Sequence, residues 1–494
     1  MGTAGPTNPP EPMLERGAPK SVDWLAIAQL MVGAAVALAV VVAAPKEGDP
    51  LVFLHVADRI YSGEVAYRDF LVEYPPLALL HLVLPRLLLG DASSPGAYQT
   101  VFSLFSLALA AGTGLAVAWL AGRGWSARAP SASVVAFAGL ALALAPLVVW
   151  RYDILPTFLT ALALAAVALN RLPWAGAMLG FGAAAKVFPA FLLAPFALPY
   201  LAGRRFASVA WLVIGFAATF GAVIAFTYVV AGPDALWFLS YQDDRGFEIE
   251  SVIGGLVLLA DVVAGTGATV ALGFGSWQVT SPMIQALEFP RQIGEAAMLF
   301  VLVTAASISV VRDWRVSGRV RGQTLVTYTA ATLLLVILTN KVLSPQYLVW
   351  LLPFGALLTR WQSMWLLGTC VLTTVVYPLN FDALLDLDAP MIAVLNLRNL
   401  MLIALFAWLV VPRGSGDSEA GDVAETADEA GRDPNDEHAT RQGTIVSRHQ
   451  EHHQHGKTDG DDFNERQAGE SELLGQQNYN WIRLGRQAVA RHQK

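Results

Sequence analysis

A single cysteine, Cys370, lies in an apolar run, so no internal disulfide can form and cysteine usage is silent on compartment. Charge is scarce as well: 14% of the 494 residues are charged and 55% are hydrophobic, with a mean hydropathy of +0.50. A soluble protein of this length does not require that apolar content, so the chain reads as a polytopic membrane protein. It contains no Walker-type phosphate loop, no Gly-rich dinucleotide fingerprint and no histidine cluster at metal-ligand spacing. Those absences disfavour a soluble enzyme acting on nucleotide-linked substrates, and nothing points to nucleic acid. The formal charge of −7 belongs mainly to the tail, because residues 413–494 hold 16 acids and 10 bases.

What is there is a succession of apolar runs of spanning length, near 24–44, 97–121, 131–149, 154–170, 207–231, 293–311, 323–340, 363–379 and 391–412. Residues 173–202 read as two short helices meeting at Lys186-Val-Phe-Pro189, and 347–359 as the continuation of a broken helix. The total is about twelve spans, the first read as retained rather than cleaved. Residues 77–90 are apolar but short and contain Pro85 and Arg86. If they lie along the interface instead of crossing, the loops with Arg123 and Arg128, Arg171, Arg204 and Arg205, Arg312 to Arg321, and Arg360 all share one face with the N-terminus. The positive-inside rule makes that the cytoplasmic face. The external face then receives 46–96, Arg151 to Asp153, the Lys186 break, the loop 232–291, Asn340 to Tyr347, and 380–390. Within 232–291, the Gly-rich apolar stretch 251–275 is expected to form a re-entrant or interfacial helix. The domain plan is a cytoplasmic segment 1–23, a membrane domain 24–412 and a tail 413–494 with the composition of a disordered extension.

The densest chemistry lies in Lys46 to Pro76. Asp49-Pro50 opens a helix expected to reach about Ser62, with Phe53, Val56, Ala57 and Ile60 as its apolar stripe and His55, Asp58, Arg59 and Ser62 on the other side. Gly63 ends it. Asp49 also reads as a plain N-cap, Asp58 as part of a solvated face, and Asp69 as a local partner of Arg68. Arg151-Tyr152-Asp153 reads either as an interfacial anchor or as part of a site. Lys186 lies inside an apolar stretch, where an ionisable group is costly and marks function unless it snorkels. Lys341 precedes Ser344-Pro345-Gln346-Tyr347 at another helix end, and Arg245 follows Asp243-Asp244, with which it can also pair. Several cations and carboxylates thus converge on one face. Such a set suits a lipid-linked phosphate and a carboxylate that activates an acceptor hydroxyl.

The order Asp49, Gly63, Tyr67, Glu73-Tyr-Pro-Pro76, Arg151-Tyr-Asp153, the AAAKVFPAFLLAPF run from Ala183 and KVLSPQYLVWLLP from Lys341 resembles the integral-membrane C-type (GT-C) glycosyltransferases. It is most similar to family 87, the polyprenyl-phosphate-mannose-dependent α-mannosyltransferases of actinobacteria, over about residues 24–412. The resemblance implies an all-α polytopic fold with amphipathic helices in a large first external loop. It also implies inverting sugar transfer, mannose first, from a polyprenyl-phosphate donor to an extracytoplasmic glycolipid or polysaccharide acceptor. The implied general base is Asp49, with Asp58 as substitute. Arg151, Lys186, Lys341 and Arg245 would bind the donor phosphate, and His55, Tyr67, Glu73, Tyr74, Asp153, Ser344, Gln346 and Tyr347 would line the substrate. No cofactor is assigned, and a divalent metal stays open because Asp58, Asp69 and Glu73 compete as second acid. Arabinofuranose from a decaprenyl-phosphate donor is the nearest rival, and a transporter or flippase for a lipid-linked sugar is the rival of a different class.

Overall fold

The computed structural model describes residues 13–15, 20–43, 49–239, 245–273 and 275–411, with the backbone alone for 26, 35–43 and 49. The expectations for 46–48, for Asp243-Asp244 and for the tail from Arg413 fall outside the described residues. The chain is mostly helical. In order the helices are α1 (Trp24–Ala43), α2 (Asp49–Tyr61), α3 (Ala78–Leu89), α4 (Pro95–Gly122), α5 (Pro130–Ala143), α6 (Ala145–Trp150), α7 (Ile154–Ala168), α8 (Leu172–Ala185), α9 (Leu193–Ala202) and α10 (Phe206–Ala231). They continue with α11 (Val252–Ala264), α12 (Met283–Ser317), α13 (Gly322–Thr339), α14 (Leu352–Leu357), α15 (Arg360–Thr374), α16 (Phe381–Leu385) and α17 (Ala389–Val410).

Six helical stretches among the described residues are long and apolar enough to cross a membrane: Pro95–Gly122, Phe206–Ala231, Met283–Ser317, Gly322–Thr339, Arg360–Leu379 and Ala389–Val410. Other apolar runs are broken where the sequence contains helix breakers. The run 131–149, expected as one helix, splits at Leu144, immediately before α6, whose first turn contains Pro146. The run 173–202 breaks where expected, with Lys186 in an extended conformation (φ −161°, ψ 136°) between α8 and a 3-10 turn over Phe188–Leu192. A second 3-10 turn, Pro345–Leu351, leads into α14.

The helical hairpin α2–α3 follows the sequence reading closely. Phe53 and Ala57 are buried while His55, Asp58 and Ser62 are exposed, and Gly63 adopts φ +96° to leave the helix. The buried stripe packs with Leu82, Tyr98, Phe102 and Tyr152. Burying a ring such as Phe53 contributes about 1.5–3 kcal/mol, which anchors the hairpin to the bundle. At twelve residues α3 is too short to span, and Leu80, Leu87 and Leu88 stay exposed.

The expectation for 251–275 needs correction. Only its first half is helical; the remainder, with the residues after it, forms an antiparallel hairpin, β2 (Thr269–Gly273) on β3 (Ser276–Thr280). Gly265 in the left-handed region (φ +60°) stops α11, and the Asp261 carboxylate accepts from the Ala268 N–H at 3.0 Å to hold the turn. A strand-like segment at 247–249 joins this hairpin: Ile249 N–H donates to the Trp277 carbonyl at 2.8 Å and Val279 N–H to the Phe247 carbonyl at 2.9 Å. The two-residue strands Leu14–Glu15 and Val320–Arg321 also pair, in parallel. The helix of the expected 293–311 span begins ten residues earlier, at Met283, and carries Pro290 within it.

Contacts sort the loops into two ends. At one end the Lys20 ammonium donates to the Ala127 and Arg128 carbonyls at 2.9 and 3.1 Å, Val320 N–H donates to the Met13 carbonyl, and buried Arg128 donates to the Ala356 carbonyl at 2.7 Å. At the other end Leu77 N–H donates to the Ala184 carbonyl at 2.8 Å, fastening the exit of the first loop to the last turn of α8.

Helix α10 packs on α8 through glycines and buries few of its own side chains. A Cβ on Gly180 would stand 2.1 Å from Thr219 Oγ1 and 2.6 Å from the Phe216 carbonyl oxygen. Gly180→Val is therefore expected to cost about 1–3 kcal/mol or more through overpacking. Gly221→Val, where nothing lies within 4 Å, should leave the melting temperature of the lipid-reconstituted protein unchanged.

Candidate functional site

The centre is built from residues at helix breaks. Asp153 occupies the N-cap position of α7, yet its carboxylate makes no cap bond. It turns inward instead: Oδ1 accepts from the Lys186 ammonium at 2.6 Å and from the Trp350 indole N–H at 2.7 Å. Asp153 is 1% exposed, and its Oδ2 has no hydrogen-bond partner among the described residues. Lys186 can reach it because α8 ends one residue earlier. Its ammonium also lies 4.9 Å from the Tyr152 ring centre and 5.2 Å from that of Tyr347. Trp350 is clamped between Phe188 and Tyr347, each stacked at 4.2 Å between centroids. Three chain segments thus meet at one carboxylate.

Other segments surround this centre. Tyr74 packs edge-on against Tyr152 at 5.3 Å, which brings Glu73-Tyr-Pro-Pro76 to the site. The charges of Arg245, Glu248, Asp153 and Glu73 all reach the Tyr347 hydroxyl. Arg151 donates to the Tyr377 hydroxyl at 2.9 Å, and its charge, like that of Arg245, is felt at Lys186. Ser344 donates to the Glu248 carboxylate at 3.0 Å, and Glu248 N–H donates to the Lys341 carbonyl at 3.0 Å. Burial pushes the Glu248 carboxyl above its usual range, against the opposing pull of Arg245 and Ser344.

The structure therefore brings together Arg151, Asp153, Lys186, Arg245, Glu73, Tyr74, Ser344 and Tyr347. Gln346 belongs to the same 3-10 turn and is half-buried. Other candidates are engaged elsewhere. Asp58 pairs with Arg86, whose guanidinium lies over the Tyr61 ring at 3.8 Å. His55 is exposed on α2. Tyr67, in the left-handed region, is buried and donates to the Tyr74 carbonyl at 2.6 Å, so it shapes the loop that presents Glu73. Asp69 is held at about 2 by the Arg68 guanidinium and by the Val65 N–H. The Lys341 charge is felt at Glu288 on α12. Asp49 opens α2, and its side chain lies outside the described residues. Among the described residues no group of three or more metal-ligating side chains comes together.

Two acids and a base were missed by the sequence reading. Glu250, 2% exposed, pairs with fully buried Arg398 of α17 at 3.2 Å, and Glu248 sits two residues before it. Arg398 had a signal, since it interrupts the apolar run 391–412 just as Lys186 interrupts its own. The glutamates had none, because in sequence GFEIE is an ordinary polar loop.

No family model matches this chain, and no curated protein matches it.

Removing one partner of a buried ion pair leaves an uncompensated charge at a cost of about 3–5 kcal/mol, whereas replacing both by apolar groups costs much less. Lys186→Met is therefore expected to destabilise the protein strongly, and Asp153→Leu/Lys186→Met less than either single change. Chemical unfolding of the four proteins in lipid nanodiscs measures that cycle.

Proposed function

We propose that the chain is an inverting glycosyltransferase that moves a sugar, mannose first, from a polyprenyl-phosphate donor to a glycolipid or polysaccharide acceptor outside the cytoplasm. The observation that carries this reading is the assembly of Lys186, Arg151 and Arg245 with carboxylates and aromatic rings at helix breaks, directly behind an amphipathic hairpin with exposed leucines. A substrate with an isoprenoid tail, a phosphate and a sugar needs those three surfaces side by side: lipid contact, cations and a polar wall with ring faces. The arginine-bearing loops gathered with Met13 and Lys20 form the cytoplasmic end by the positive-inside rule, which puts the site on the opposite side. The bundle that carries it is of the GT-C kind, with about twelve crossings.

In the proposed step the acceptor hydroxyl loses its proton to the Asp49 carboxylate. Its oxygen bonds to the anomeric carbon from the face opposite the phosphate, and the bond from that carbon to the phosphate oxygen breaks. The electron pair departs with the polyprenyl phosphate, whose charge faces the cations.

The test is transfer of radiolabelled mannose from polyprenyl-phosphate-mannose to endogenous lipids in membranes expressing the protein. Wild type is expected to yield a labelled lipid product, and Asp49→Asn, at equal protein level, to lose about 10²–10⁴-fold in rate. Product from an arabinose donor alone would redirect the sugar assignment. Silence from wild type with both donors would refute the transferase and favour transport.

A further inference from the structure

The other buried carboxylates among the described residues are each paired with a cation: Asp153 with Lys186, Glu250 with Arg398 and Asp313 with Arg321. Glu248 is different. It is 8% exposed, and among the described residues its carboxylate accepts only from the Ser344 hydroxyl, with no cation within ion-pairing distance. A buried carboxylate with lone pairs to spare is costly unless something fills them. The Asp153 Oδ2, also buried and without a hydrogen-bond partner among the described residues, poses the same demand. Glu248 accepts from Ser344, whose carbonyl accepts from the Tyr347 N–H at 3.0 Å, and Asp153 holds Lys186, whose ammonium lies 5.2 Å from the Tyr347 ring centre, so both carboxylates border the turn that carries Tyr347.

Neighbouring hydroxyls of a sugar are the donors that fit: neutral, closely spaced, and attached to a ring whose C–H face packs on aromatics. A phosphate does not fit, since it would bring negative charge to two carboxylates. We propose that Glu248, with the bare oxygen of Asp153, is the hydroxyl-binding element for the sugar, separate from the cations that hold phosphate. This rests on the transferase reading for the sugar's fate, though not for its binding.

The backbone explains how Glu248 is held in place. Its N–H is tied to the Lys341 carbonyl, and its neighbours Phe247 and Ile249 pair with β3. The segment therefore has little freedom to withdraw the side chain. The charged and titratable groups that act on it are Arg245 and Glu250 on its own segment, Tyr347 beside Ser344, Arg151 after α6 and Arg398 on α17. Hydroxyls donate to the ionised form, so binding is present above the Glu248 pKa and lost as pH falls through it. Because burial raises the Glu248 carboxyl above its usual range, the loss sets in at a higher pH than an ordinary glutamate gives.

The probes are tritiated octyl α-D-mannopyranoside and, separately, tritiated decaprenyl phosphate, each bound to the full chain in nanodiscs. Glu248→Gln is expected to weaken the glycoside roughly 10- to 100-fold, to keep the affinity for decaprenyl phosphate, and to abolish the acid sensitivity of glycoside binding. Glu248→Asp, which keeps the charge but retracts it, should bind the glycoside more weakly than wild type and retain the acid sensitivity. Wild-type glycoside affinity in both variants overturns the proposal, as does a parallel loss of both probes in both variants, which would mark Glu248 as structural. No binding of octyl mannoside, glucoside or arabinofuranoside by wild type overturns it too. Glu248-dependent glycoside binding in a protein that transfers no sugar would leave this inference standing and refute the transferase.

Discussion

The ion pair between Lys186 and Asp153 is the contact on which this end of the protein depends. An ammonium placed between two apolar half-helices cannot stay charged without a partner, and the partner must come from another segment. Asp153 meets that demand only because α7 starts where it does, leaving the carboxylate free of capping duty. The same oxygen takes the Trp350 indole N–H, so the 3-10 turn at Pro345–Leu351 is drawn in as well. The aromatic stack of Phe188, Trp350 and Tyr347 then fills the space that the missing helical turns vacate. Helix breaks that would otherwise expose backbone become the walls of a site.

A second layer of organisation follows from where charge can be put. The long helices carry little charge, so polar groups collect at the two ends of the bundle, and each end has its own binding logic. At the arginine-rich end, basic side chains are spent on backbone carbonyls, as with Lys20 and Arg128, and on the buried Asp313, which pairs with Arg321 at 3.0 Å. At the other end, basic side chains meet carboxylates and tyrosines.

The element from Arg245 to Thr280 shows why part of the site was hidden. Its glutamates gain meaning only when a hairpin about 30 residues downstream pins them over Ser344 and Arg398. No local pattern announces that pairing, since long-range strand contacts leave no periodic mark on the sequence. Lys186 was legible for the opposite reason: a charge in an apolar run is visible without knowing its neighbours. The alternating faces of α2 were equally plain, because helical spacing is local. The burial of Tyr67 was not legible, since a polar aromatic in a polar loop gives no local sign that it will hold a turn.

Sequence by itself determined the apolar runs, the breaks at Lys186 and Pro345, the two-faced character of α2 and the shortness of α3. These depend on residue spacing, proline and hydropathy, which act within a few turns of chain. Only the tertiary structure decided which charges would meet. It gave Lys186 to Asp153, Arg86 to Asp58, Arg398 to Glu250, and left Glu248 with a serine. The reason is physical: away from water, a charge is stabilised chiefly by the partner it meets, and ion-pair partners here lie up to 148 residues apart along the chain.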